Sequence, residues 1–211
     1  MIRTPLATGA MTIGLLGGSF NPPHLGHVHI SLVALKRLRL DRLWWLVSPG
    51  NPLKSHAGLK PLKERLSRSH ALARHPRIDI TAFEAGLPTP YSSEALAALR
   101  RRYPRTQFVW VIGADILVNF HLWRNWEQIF STVPIAVIDR PGYRFRAMAS
   151  KAAQKYRHFR IEETDASGIG MLKPPVWTII TAPLSPLSST EIRENWRNPL
   201  MQSDHSGNWN N

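Results

Sequence analysis

Residues 12–30, TIGLLGGSFNPPHLGHVHI, constrain the fold more than any other stretch of the chain. An apolar run, Ile13 to Leu16, meets the pair Gly17-Gly18. Ser19, Phe20, Asn21 and two prolines follow, then His24-Leu25-Gly26-His27. Beyond them Ile30, Val33, Ala34 and Leu38 recur at helical spacing, with Lys36, Arg37 and Arg39 off that face. The pattern predicts a strand, a tight turn and a helix. The glycines are expected to let the backbone turn sharply and approach a ligand. A helix N-terminus after such a turn offers unpaired N–H groups and a positive dipole end, which suits a phosphate. His24 and His27, three residues apart, can face the same anion.

The rest of the chain repeats this alternation. Leu43–Val47, Arg77–Thr81, Gln107–Ile112, Val133–Ile138 and Val176–Thr181 read as further strands. Leu59–Arg74, ended by Pro76, and Tyr91–Arg102 read as helices, with Ser92 or Ser93 as the cap of the second. Strands alternating with helices predict an α/β fold with a mostly parallel sheet. Residues 144–175, with a helix from Ala147 to Tyr156 and then Gly168, Gly170, Pro174 and Pro175, read as an irregular excursion within one domain spanning residues 12–197. Residues 1–11 and 198–211 are expected to be flexible ends.

Composition narrows the function classes. A chain of 211 residues suits one domain with a real core. It contains no run of about 18 apolar residues, so no membrane-spanning helix is expected. Residues 1–11 lack the apolar stretch of a secretory signal. With no cysteine, thiolate metal sites and disulfides are excluded, and a cytoplasmic location is the expectation. The formal charge of +13, from 27 Lys and Arg against 14 Asp and Glu, admits two readings. It serves a nucleic-acid surface or a pocket for phosphorylated substrates. The basic residues are scattered and not interleaved with aromatics, so a nucleic-acid partner is not the expectation.

Four stretches resemble one family. GGSFNPPHLGH is similar to the H-x-G-H block of the nucleotidyltransferase superfamily, in the form found in bacterial nicotinate mononucleotide adenylyltransferases. Ile112-Gly113-Ala114-Asp115 resembles that family's Ile-Gly-x-Asp. Asp139-Arg140-Pro141-Gly142 matches its strand-end Arg-Pro-Gly. Ser188-Ser189-Thr190-Glu191-Ile192-Arg193 closely resembles its second motif, Ser-Ser-Thr-x-Ile-Arg.

The resemblance implies a Rossmann-like, doubly wound α/β fold with flanking helices. It implies adenylyl transfer from ATP to nicotinate mononucleotide, with pyrophosphate released and Mg2+ bridging triphosphate oxygens. No resident metal ligands are expected. His24, His27, Lys54 and Arg193 would be the catalytic donors and cations. Gly17, Gly18, Ser19, Phe20, Gly26, Gly113, Asp115, Ser188, Ser189 and Thr190 would hold ATP. Asn21, Tyr91, Ser92, Trp123, Arg124 and Arg140 would meet the second substrate, Trp123 by stacking on the pyridine ring.

Several positions keep two readings. Lys54 is a phosphate contact or a solvated loop lysine. Asp115 holds a ribose hydroxyl or caps a helix. Arg140 contacts phosphate or pairs with an acid, and Trp126 belongs to the core. Arg124 stands where the family often has Tyr, and Ser92 where it has Thr. The acceptor could instead be nicotinamide mononucleotide or phosphopantetheine, or the chain could be a basic nucleic-acid-binding protein on a nucleotide fold. Self-association into a homo-oligomer stays open.

Overall fold

In the computed structural model, residues 4–50, 58–89 and 91–182 are described. Among them the chain forms β1 (Thr12–Gly18), α1 (Leu25–Arg37), β2 (Arg42–Val47), α2 (Leu62–Leu72) and β3 (Ile78–Thr81). Then come α3 (Ser92–Arg102), β4 (Gln107–Gly113), α4 (Ala114–Val118), α5 (Trp126–Thr132) and β5 (Ile135–Ile138). The short helices α6 (Arg144–Met148) and α7 (Lys151–Lys155) precede β6 (Trp177–Ile180). The six described strands pair in the order β3-β2-β1-β4-β5-β6, every pair parallel. This is the doubly wound order. The chain winds outward to one side from β1, then returns to β4 and winds to the other, so the switch lies between β1 and β4.

β1, β2, β4, β5 and β6 bury both faces, which is why they read as near-continuous apolar runs, whereas the edge strand β3 is half-buried and alternates. Alternate residues point to opposite sides. Ile13, Leu15, Trp44, Leu46, Phe108, Trp110, Ile135 and Trp177 face one core, closed by Leu96 and Leu99 of α3 and Ile129 and Phe130 of α5. Leu16, Leu43, Trp45, Val109, Val111, Ala136 and Ile180 face the other, closed by Ile30, Ala34 and Leu35 of α1 and by Leu38 just after it. Truncating one such Leu to Ala costs about 2–5 kcal/mol through lost burial and the cavity left behind.

Residues 144–175 are helical for much of their length and form the crossover from β5 to β6. The first half puts Ala147, Ala152 and Ala153 into the first core. The second half is a nine-residue 3-10 helix, Glu163–Met171, that puts Ala166 and Ile169 into the other. The crossover therefore wraps round the β6 edge. There Arg160 bridges Trp177 in parallel register, and the Ile161 N–H donates to the Trp177 carbonyl at 2.9 Å.

Candidate active site

The turn after β1 differs from its sequence reading in one respect. Gly17 and Gly18 end the strand, and the residue with left-handed backbone is Phe20, at φ 46°. Gly17 is required by space: a Cβ there would lie 2.5 Å from Trp110 Cη2. The Phe20 ring is buried, stacked on Trp45 at 4.7 Å and 4.6 Å from the His27 ring.

Helix α1 begins with a reciprocal cap built from two histidines. His24 is the N-cap, and its Nδ1 accepts the Gly26 N–H at 3.1 Å. His27 Nδ1 in turn accepts the His24 N–H at 3.2 Å. The arrangement is a capping box with imidazoles where Ser and Glu usually stand. With Nδ1 accepting, each ring carries its proton on Nε2, so a donor lies on the edge away from the helix backbone. The ring centroids are 3.9 Å apart. Burial holds the His27 pKa well below 6.5, and the nearby His24 and Arg140 push the same way. His27 is therefore a neutral N–H donor at pH 7.

The ends of β4 and β5 supply the next residues. Asp115 is not the cap of α4. Gly113 is the N-cap, and Asp115, two residues on, meets Arg140 with Nη1 to Oδ2 at 3.1 Å. A Cβ on Gly113 would lie 2.4 Å from Asp115 Oδ1 and 3.1 Å from Arg140 Cδ, so a larger residue there would displace the pair. Asp115 Oδ1 is buried and has no hydrogen-bond partner among the described residues. The Arg140 N–H donates to Asp139 Oδ1 at 2.8 Å.

A second group gathers around the start of α3. Tyr91, not Ser92 or Ser93, is the N-cap, and it makes no side-chain cap bond. Ser92 is the first residue of the helix, and Ser93 is buried with its Oγ unpaired among the described residues. The Arg124 guanidinium lies over the Tyr91 ring at 4.6 Å, a cation–π contact. Trp123 and Trp126 do not share a helix face. Trp123 follows the 3-10 turn Phe120–Leu122 and packs on Phe120 at 5.1 Å. Trp126 opens α5 after Asn125, whose φ is 54°. Trp126 is partly buried against Phe130 and Tyr156.

Two residues escaped the sequence reading. Arg65 of α2 is 1% exposed. It donates to the carbonyls of Ser19 at 2.6 Å, Ser48 at 2.8 Å, Lys60 at 2.9 Å and Pro49 at 3.1 Å. Its signal was an arginine on the inward stripe of a helix, beside Leu62, Leu66 and Ser69. Glu84 follows β3 and is buried, and burial raises its carboxyl pKa to about 7. Asn21 also ties the turn down: its Nδ2 donates to the Gly58 carbonyl at 3.0 Å, and its Oδ1 accepts the Lys60 N–H at 3.2 Å. Lys54, Ser188, Ser189, Thr190 and Arg193 lie outside the described residues.

The described candidates thus fall into two groups at the carboxyl edge of the sheet. Gly17 to His27, Gly113, Asp115 and Arg140 line the switch point. Tyr91, Ser92 and Arg124 gather at the start of α3, and Trp123, next to Arg124 in the chain, packs on Phe120. Among the described residues no group of three or more His, Asp or Glu side chains could hold a metal ion, and no helix is long and apolar enough to cross a membrane.

The chain sets a histidine-capped helix at the switch point of a doubly wound sheet, and residues 15–195 match the model of the cytidylyltransferase-like family, which makes it a nucleotidyltransferase by class. Over 183 residues the chain is 52% identical to a probable nicotinate-nucleotide adenylyltransferase of Methylorubrum extorquens strain PA1, covering 87% of this chain and 99% of that one. Over 189 residues it is 50% identical to one of Rhizobium johnstonii, covering 90% and 95%. The chain belongs to the nicotinate-nucleotide adenylyltransferases of the cytidylyltransferase-like family. A solved structure of the Plasmodium falciparum nicotinic acid mononucleotide adenylyltransferase, complexed with NaAD, superposes with a TM-score of 0.67. It covers 91% of this chain and 88% of its own, and at 17% identity the likeness speaks to the fold.

Proposed function

We propose that the protein transfers the adenylyl group of ATP to the 5′-phosphate of nicotinate mononucleotide, giving the deamido dinucleotide and pyrophosphate. An oxygen of the acceptor phosphate forms a bond to the α-phosphorus, and the bond from that phosphorus to the β-phosphate oxygen breaks. The acceptor phosphate has a second pKa near 6, so it is mostly dianionic at neutral pH and needs no general base. The protein's task is alignment and stabilisation of charge spreading over the transferring phosphate.

The observation that carries this reading is the paired histidine cap. Each Nδ1 is occupied by a backbone N–H, which fixes both rings with a proton on Nε2. Two oriented donors at a helix N-terminus suit the α-phosphate oxygens. Because His27 stays neutral, it donates a hydrogen bond without surrendering a proton. Asp115, with one buried oxygen unpaired among the described residues, suits a ribose hydroxyl of ATP. Trp123, Tyr91, Ser92 and Arg124 suit the pyridine end of the acceptor. Lys54, Ser188, Ser189, Thr190 and Arg193 belong to the triphosphate by the same proposal. Mg2+ would arrive with ATP and keep mostly water ligands. A cytoplasmic location goes with this reading.

The test is pyrophosphate release by the purified protein with MgATP and a panel of acceptors: nicotinate mononucleotide, its amide, and phosphopantetheine. Turnover highest with nicotinate mononucleotide is the expected result. Release with phosphopantetheine alone, or none with any acceptor, overturns the proposal.

A further inference from the structure

Arg65 is the most deeply buried cation among the described residues, at 1% exposure. A buried charge is costly unless its donors are met. Here no described carboxylate pairs with it, and four backbone carbonyls do the work. Those carbonyls come from separate segments: Ser19 in the turn after β1, Ser48 and Pro49 after β2, and Lys60 before α2. A planar guanidinium can reach all of them at once, and a lysine ammonium on its flexible stem cannot.

We propose that Arg65 is a positioning residue for the transfer reaction, holding the Ser19 peptide so that Phe20 seats the His27 ring. The route is short. Arg65 Nη1 meets the Ser19 carbonyl at 2.6 Å, the shortest of its bonds. The peptide from Ser19 to Phe20 is planar, so fixing that carbonyl fixes the Phe20 N–H on the opposite side. Phe20 then sits at φ 46°, a left-handed conformation that a residue with a bulky side chain adopts only when its surroundings hold it there. Its ring fills the space between Trp45, at 4.7 Å, and His27, at 4.6 Å. A Ser19 peptide free to turn would carry Phe20 out of that space and expose the face of the His27 ring. Arg65 itself lies behind the turn, with its donors spent on carbonyls. The kinetic half of this proposal rests on the adenylyl-transfer reading. The structural half does not.

The experiment compares wild type, Arg65→Lys, Phe20→Leu and the double variant. The readouts are kcat and KM for both substrates, and the titration of the His27 ring followed by NMR. Arg65→Lys is expected to lower kcat about tenfold or more while leaving KM for nicotinate mononucleotide within about twofold, the split expected of a transition-state effect. The His27 midpoint should move up toward 6.5 as the ring gains solvent. The double variant should cost no more than about threefold beyond the worse single, because both act on one route. Arg65→Lys with wild-type kcat and an unmoved His27 midpoint would overturn the proposal, as would fully additive losses. If Arg65→Lys does not fold, Phe20→Leu decides alone: an unmoved His27 midpoint there sinks the route. A wild type without activity on nicotinate mononucleotide, but with a His27 midpoint that shifts in Arg65→Lys, supports the positioning and refutes only the reaction.

Discussion

Arg140 Nη1 lies 3.1 Å from Asp115 Oδ2, joining the carboxyl end of β5 to that of β4. The contact orients a carboxylate whose other oxygen is buried and unpaired among the described residues. One oxygen is thus held by the protein, and the second remains to accept a hydrogen bond. Asp115→Asn should raise KM for MgATP about tenfold, near 1.4 kcal/mol, with kcat within about threefold. Steady-state kinetics with ATP varied check it, and an unchanged KM would remove Asp115 from the nucleotide site.

His27→Ala should lower kcat by about 100-fold, the loss typical of removing one oriented donor to a developing charge. ATP affinity, measured by calorimetry with a non-hydrolysable analogue, should change far less. A variant within about threefold of wild-type kcat would leave His27 as a helix cap alone.

Gly17→Ala tests the packing behind the turn. The added methyl would sit 2.5 Å from the Trp110 ring, which is fully buried in the core. Overpacking of this kind costs about 1–3 kcal/mol. The expected result is a Tm lower by about 2–4 °C for each kcal/mol at this chain length. An unchanged Tm would mean that the ring yields.

Glu84 makes stability depend on pH. Its pKa is raised by burial from 4.5 to about 7, so the folded state binds the proton more tightly than the unfolded one. Its contribution is fully present below about pH 4.5 and is lost as pH rises through about 7. Glu84→Gln removes that loss. Relative to wild type, the variant should gain stability between pH 5 and pH 8, by up to about 3 kcal/mol. Urea unfolding at both pH values measures it. A constant difference would show that Glu84 titrates normally.

Arg124 bears on the choice of acceptor. Its contact with Tyr91 keeps a positive charge beside the start of α3, where the helix dipole also favours an anion. Wild type should prefer nicotinate mononucleotide over its amide by about tenfold or more in kcat/KM. Arg124→Ala should narrow that ratio by lowering use of the acid. Equal use of acid and amide by wild type would refute the substrate assignment and leave adenylyl transfer standing. An unchanged ratio in Arg124→Ala would place the selectivity on backbone donors.

The strands were legible because a parallel strand covered on both sides is a continuous apolar run, as in LWWLV and QFVWVI. The histidine pair was legible because its spacing places both residues at one helix start. What composition hid were features set by tertiary contact. The left-handed residue of the turn is Phe20 rather than a glycine, because Trp45 and Arg65 hold it there. Ser92 and Ser93 looked like caps, yet Tyr91 takes that position. Trp123 and Trp126 had helical spacing, but the left-handed Asn125 lies between them. Residues 144–175 looked irregular for their Gly and Pro content, while Ala147, Ala152, Ala166 and Ile169 give them inward faces. Nothing in the sequence of α2 distinguished Arg65 from its solvated neighbours except its place on the inward stripe.

The crossover that wraps β6 has a consequence for how the protein behaves in a crowded solution. The last strand of an open sheet offers a row of unpaired amides and carbonyls on which another chain can add. Here the Ile161 N–H already occupies the Trp177 carbonyl, and the Ile161 carbonyl accepts from Thr178 Oγ1 at 3.2 Å. The opposite border, β3, is only four residues long. Among the described residues neither border is a long free template, so fibril growth by strand addition has little to start from there while this wrap stays in place.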